Sequence, residues 1–267
     1  VDALRMRDEF GLGDHLKADH DEEDLASLVI QQIEFCNIIL LNKADMISPD
    51  EMAHLKAIIR EIQPKAAIYE CNYGDVELSK IINTHSFNFD KVATSARWIE
   101  AMEGEEGDDH HDHHDDHERH DEHEHRHDHH HHHDHLENEE SGEALEYGIQ
   151  TFVYYRRPAM SLARFDEFVS TQWPKSVIRA KGMCYFRDEP DTCYLFEQSG
   201  KQFNITNAGQ WFASMPAEEL EQFMEQNPNA KNDWDENYGD RMQKIVFIGK
   251  DMDRKAIEAL LDDCLED

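Results

Sequence analysis

The alternation of apolar and polar positions divides the chain into two patterned stretches separated by an unpatterned one. In the first, Leu25, Leu28, Val29, Gln32, Ile33 and Cys36 recur at helical spacing after the acidic run "DHDEED", which suits the positive end of a helix dipole. "NIILL" (Asn37 to Leu41) then reads as a buried strand. "SPDE" follows, with Ser48 as N-cap, Pro49 at the first helical position and Glu51 three after the cap, a capping-box signature. The helix it opens carries Met52, Leu55, Ile58, Ile59 and Ile62 on one face and stops near Pro64. "AAIY" (Ala66 to Tyr69) is the next expected strand and Val76 to Ile82 a further helix. Helix and strand in alternation build a parallel sheet covered by helices. The opening "VDALRMRDEF" shows neither turn nor cap, as if the chain were entered partway, and no element is expected there.

From about Glu103 to Gly142 the pattern dissolves into His, Asp and Glu with almost no apolar residue. Nothing in it can offset the entropy of ordering, so a disordered linker is expected over 103–142. Beyond it, "YGIQTFVYY", "VIRAKGMCYF", "TCYLFEQ" and "QKIVFIG" read as strands. "SLARFDEFVSTQW", opened by a Ser161 cap, "AEELEQFMEQ" and "DRKAIEALLDDCL" read as helices. Strands of mixed connection with helices between them predict a compact α+β domain of roughly 115 residues within 143–267. The expected fold class is therefore α/β: part of a parallel-sheet domain over 1–102, the linker, and a smaller α+β domain.

Composition narrows what such a chain can bind. There are 26 Lys plus Arg against 59 Asp plus Glu, a net charge of −33, which repels phosphate backbones and anionic lipid. Neither nucleic acid nor a membrane is an expected partner. Five cysteines at 36, 71, 184, 193 and 264 form no C-x-x-C pair and read as reduced thiols rather than a disulfide framework. With no run of 18 apolar residues and no basic-then-apolar leader, cytoplasm is the expected compartment. Trp173, Trp211 and Trp234 read as core or interface aromatics, and Arg179 and Lys181 as strand cations that face solvent or pair with the abundant acids.

Two features carry chemistry. "NKAD", Asn42 to Asp45, falls between a strand and a capped helix, the place where open α/β sheets bind ligands. In this pattern the Asp45 carboxylate accepts from guanine N1–H and the exocyclic amine, the Lys43 stem covers the base and Asn42 braces the neighbouring loop. A base-capping loop is expected at "ECNYGD", with Cys71 and Asn72 as its candidate contacts. The second feature is the stretch His110 to His135, which holds 15 of the 19 histidines. The candidate metal ligands are His110, His111, His113, His114, His117, His120, His123, His125, His127, His129, His130, His131, His132, His133 and His135. Neutral imidazole ligates zinc, with cobalt, nickel or iron as alternatives that side-chain chemistry alone does not separate.

Taken together, "VDA" at the start, "NKAD", "YGDV" at 73–76, the His-rich insertion and the later "RF", "WP", "RAKG", "GDRMQKIVFIG" and "ALLDDCL" resemble the CobW-type metallochaperone GTPases over nearly the whole chain. The His-rich branch of that family looks most like zinc chaperones. The resemblance implies a P-loop GTPase domain followed by the CobW C-terminal domain, using GTP and magnesium to deliver zinc, or in some members cobalt or iron, to a metal-requiring client protein. It also implies a G-x-x-x-x-G-K-[ST] phosphate loop, a C-x-C-C motif and an acidic magnesium-serving residue, none of which occurs in these 267 residues. On that reading the N-terminal part of the GTPase domain is missing, no catalytic residue is assigned, and the chain is expected to be inactive as a hydrolase by itself. A His-rich metal buffer without a nucleotide cycle is the alternative.

Overall fold

The computed structural model describes residues 1–10, 23–84, 96, 99, 147–200, 202–227, 230 and 234–266. The stretch expected to be a disordered linker lies outside them, as do the candidate metal ligands from His110 to His135.

The N-terminal part is a parallel pair of strands packed by helices. Strand β1 (Ile38–Asn42) runs parallel to β2 (Ala67–Cys71), with Asn42 opposite Cys71 at their carboxyl ends. Helix α3 (Pro49–Ile62) connects them, supplying the crossover that parallel neighbours need. Its Ser48 capping box forms in full, and Met52, Leu55, Ile58, Ile59 and Ile62 are all buried. Helix α1 (Ala3–Glu9) is an element the apolar pattern did not announce: Asp2 caps it by accepting from the Arg5 N–H at 3.2 Å. Asp2 also bridges to Asn42 in parallel fashion, so the chain's first residues flank β1 on its other side. Helix α2 (Glu23–Glu34) forms, but its face is rotated: Leu28 is half exposed while Ile30 and Ile33 are buried. The expected helix over 76–82 reduces to one 3-10 turn, Leu78–Lys80: Leu78 and Ile82 stay exposed, and an isolated turn does not nucleate a helix.

The C-terminal part is a five-stranded sheet in the order β3-β7-β4-β5-β6, made of β3 (Ile149–Arg156), β4 (Val177–Phe186), β5 (Glu189–Ser199), β6 (Gln202–Gln210) and β7 (Gln243–Lys250). All four pairings are antiparallel, and the connections are mixed: hairpins join β4, β5 and β6, while β3 to β4 and β6 to β7 run through helices. Strand β6 has too few apolar residues to show a period, and only its hairpin with β5 defines it. Helix α4 (Leu162–Glu167) forms without a Ser161 side-chain cap and widens into a π turn, where the Ser170 and Thr171 hydroxyls both donate to the Glu167 carbonyl. Helices α5 (Ala217–Gln226) and α6 (Arg254–Asp262) complete the domain. One sheet face, with Tyr154, Ala180, Phe196 and Phe247, forms a core with Phe165, Phe168, Ile257 and Leu261. Trp173 packs into that core against Phe196, Phe203 and Phe247, as its reading as a core aromatic requires.

The opposite sheet face meets α2 and α3. There Arg179 and Glu34, each with a side chain 1% exposed, form a two-pronged ion pair at 2.7 and 3.0 Å. Arg179 also reaches Glu197 at 3.2 Å, which Lys181 holds at 2.7 Å, and it donates to the Gln198 carbonyl. Burial alone would push the Glu197 carboxyl up, but hydrogen bonds and charge from Lys181 and Arg179 outweigh it and keep it below the usual carboxylate range. Thr151 donates to Glu61 nearby at 2.7 Å, and Gln63 donates to the Glu34 carbonyl at 2.6 Å.

"RAKG" thus has one physical reason per residue. Arg179 and Lys181 face the N-terminal part, Ala180 faces the core, and Gly182 lies where a Cβ would stand 2.1 Å from the Lys244 carbonyl oxygen and 2.5 Å from Ile245 Cα. Gly182→Ala must push β7 away from β4 and is expected to lower unfolding free energy by about 1–3 kcal/mol in urea titrations, the usual cost of overpacking. A stability equal to that of the unsubstituted chain would show that the strands separate freely.

Candidate functional site

The carboxyl ends of β1 and β2 carry the residues singled out in the sequence. Asn42 ends β1, and its side-chain oxygen accepts from the Gly74 N–H at 3.0 Å and lies 3.8 Å from the Cys71 thiol. Asn72 answers in the other direction, its side-chain oxygen accepting from the Asp45 N–H at 3.0 Å. The two loops are therefore cross-tied by two asparagines, each reaching into the other's backbone. Such ties fix loop geometry without occupying the carboxylate between them. The Asp45 carboxylate is exposed and has no hydrogen-bond or ion-pair partner among the described residues.

Both loops contain backbone that non-glycine residues adopt rarely. Lys43 has φ 61° and Tyr73 has φ 54°, each in the left-handed region, with Gly74 following at φ 73°. Strained residues in both of two cross-tied loops are the pattern expected where a loop's shape matters more than its ease of folding. Tyr73 is almost fully exposed at 97%. Lys43 holds its ammonium 2.5 Å from Asp2. Burial would raise the Asp2 carboxyl, but the Lys43 hydrogen bond and charge, together with the Arg5 N–H, hold it below the usual range.

The structure brings Asn42, Asp45, Cys71 and Asn72 to one rim, with differences of detail. Cys71 is the last residue of β2 and buried, not part of an exposed loop, and its thiol faces Asn42. Sequence reasoning did not find Gly74 as the Asn42 partner or Asp2 as the Lys43 partner. The "D" of "VDA" was visible, but nothing local says that it meets a residue 41 positions away. Among the described residues, no group of three or more His, Cys, Asp or Glu could hold a metal ion. None of their helices is long and apolar enough to cross a membrane.

A parallel strand pair with its helices, joined to an antiparallel α+β domain, makes a two-part protein with the singled-out residues at the carboxyl ends of the parallel strands, where open α/β sheets bind ligands. Comparison with known families gives the same division: residues 1–70 match the CobW/HypB/UreG nucleotide-binding domain and residues 149–265 the cobalamin synthesis protein cobW C-terminal domain. The chain thus carries sequence of both domains of the CobW family, one in each of its two parts. A curated relative, zinc-regulated GTPase metalloprotein activator 1 of Dictyostelium discoideum, is 28% identical over 274 residues, covering 99% of this chain and 50% of the relative. The chain thus spans about half the length of that protein. Among solved structures, the Zn(II)-bound YjiA GTPase from E. coli and a Zn(II)-bound triple mutant of YjiA are each 15% identical, with TM-scores of 0.36 and 0.35, covering 100% of this chain and 59% of each of theirs. Likeness that loose says nothing about the site.

Proposed function

We propose that this chain supplies the guanine-reading corner and the C-terminal module of a GTP-dependent zinc metallochaperone that delivers zinc to a client protein. Its parts are a portion of the nucleotide-binding domain over 1–102, a metal-collecting linker over 103–142 and the C-terminal domain over 143–267. The observation that supports this best is the cross-tie of Asn42 to Gly74 and Asn72 to Asp45, which holds the two loops together and leaves the Asp45 carboxylate exposed and without a partner among the described residues. Asp45 accepts from the two adjacent N–H groups of guanine, a fit that adenine cannot offer. The Lys43 stem covers the base, Asn72 holds Asp45 in place, and Cys71 acts through Asn42. Zinc is the cargo, gathered by His110 to His135. No residue here is assigned to the phosphates or magnesium, so the 267 residues alone are expected to bind GDP weakly and to show no GTP turnover.

Asp45→Asn tests the base assignment. It replaces one acceptor with a donor, which suits a base carrying a carbonyl where guanine has its amine. Charged hydrogen bonds of about 1.5–3 kcal/mol correspond to a preference shift of roughly tenfold or more from guanosine to xanthosine diphosphate. Amide chemical-shift titrations of the full chain read that preference even when binding is weak. Equal binding of GDP and ADP, unaltered by the substitution, would remove the base-reading role.

A further inference from the structure

The five-stranded sheet ends in β3 on one side and β6 on the other, with α3 near the first and α2 near the second. Among the described residues no strand pairs with the outer side of β6, which is exposed from Asn204 to Gln210. Alternate residues of an edge strand present N–H and C=O groups outward, and long edges are ordinarily guarded by Lys, Pro or an inward charge. "QFNITNAGQ" has none of these: in a chain that is 32% charged, its nine-residue edge contains no charged residue and no proline. What interrupts it sits at one end, where β6 itself carries an extra residue, Ala208, between the partners of Cys193 and Tyr194, and the Asn207 side chain accepts from the Gly209 N–H at 2.8 Å. The run from Phe203 to Asn207 keeps an unbroken register with β5.

We infer that β6 is a self-association edge, pairing antiparallel with β6 of a second copy so that the two sheets become one. A two-fold axis normal to the sheet keeps each face on its own side, so only residues of the same face can stand opposite each other. The register that satisfies this and covers the most apolar surface sets Ile205, 38% exposed, against its own counterpart and Asn204 against Thr206 of the other copy. Both are favourable cross-strand pairs, one β-branched and one hydrogen-bonding. A second copy fits better than a foreign partner for reasons of charge. A protein at −33 steers basic partners towards itself, yet this strip offers them no acid to meet. It is instead the strip along which two acidic chains approach without placing like charges in direct opposition. Repulsion between the rest of the two bodies remains, so association strengthens as salt screens it.

Sedimentation equilibrium of the full chain should show a monomer–dimer equilibrium at least about tenfold tighter at roughly 0.5 M salt than at roughly 0.05 M. Ile205→Lys sets like charges opposite each other and should weaken the dimer by about tenfold or more, and Thr206→Lys, on the opposite face, removes the hydrogen-bonding pair with Asn204 of the other copy and should weaken it as well. Both positions are exposed, so thermal midpoints of the variants should match that of the parent. Ile205→Cys should give a covalent dimer on mild oxidation, because directly opposed residues lie within disulfide reach. A chain that stays monomeric at high salt and high micromolar concentration overturns the inference. So does a dimer that both lysine variants leave intact, or one that Ile205→Cys fails to cross-link. Should Ile205→Lys fold poorly, Thr206→Lys decides.

Discussion

Replacing Arg179 by Met is expected to destabilise the chain by about 3–5 kcal/mol, because it leaves the buried Glu34 carboxylate without its partner. The cost comes from the charge left behind rather than from the strength of the pair. Arg179→Met combined with Glu34→Leu should therefore recover most of the loss, since a buried ion pair is often exchangeable for apolar packing at little net cost. Urea unfolding of the single and double variants measures both numbers. A single-variant loss below about 1 kcal/mol would mean that water reaches Glu34 and that the pair is a surface one in effect. The same cluster gives an acid dependence. Glu197 is held below its ordinary value in the fold, so its contribution is fully present above about pH 4.3, the unfolded glutamate value, and is lost as pH falls through the lower folded value.

Deleting residues 110–135 is expected to remove most of the chain's zinc-binding capacity while leaving the melting temperature of the metal-free protein nearly unchanged. Fifteen histidines could furnish roughly three or four tetrahedral sites, and interleaved Asp and Glu can accept from the second ring nitrogen of each ligand. The described part of the fold offers no competing cluster. Protons contend for the same nitrogens near an unperturbed pKa of about 6.5, so binding should fall steeply between neutral pH and about 5.5. Calorimetric titration of parent and deletant at both pH values reads this directly. Unchanged stoichiometry in the deletant would reduce the stretch to a spacer and leave zinc without a collector in this chain.

Local signals were read well where chemistry and pattern coincide. The Ser48 capping box, the buried face of α3, and the limits of β4 and α5 all follow from residues adjacent in sequence. What escaped depends on partners distant in sequence. The face of α2 turns towards Ile30, Ile33 and Glu34 because Arg179, 145 positions away, holds Glu34 against the sheet. Strand β6 is specified by its hairpin with β5, where Gly200 takes φ 58°, and not by any alternation of its own. At the candidate site, "NKAD" was legible as four residues, whereas the Gly74 and Asp2 contacts arise only when the loops close. Asn72 was chosen for its place in a loop, and the structure gives it a definite task on the Asp45 backbone.

The Glu34–Arg179 pair also has an evolutionary consequence. Each residue is tolerable in its buried position only while the other is present, so neither can drift alone. A lineage that loses the arginine must lose the glutamate at nearly the same time, which makes positions 34 and 179 a linked inheritance between two domains otherwise free to diverge. Such lineages should carry either the acid–base pair or two apolar residues, and rarely one half of each.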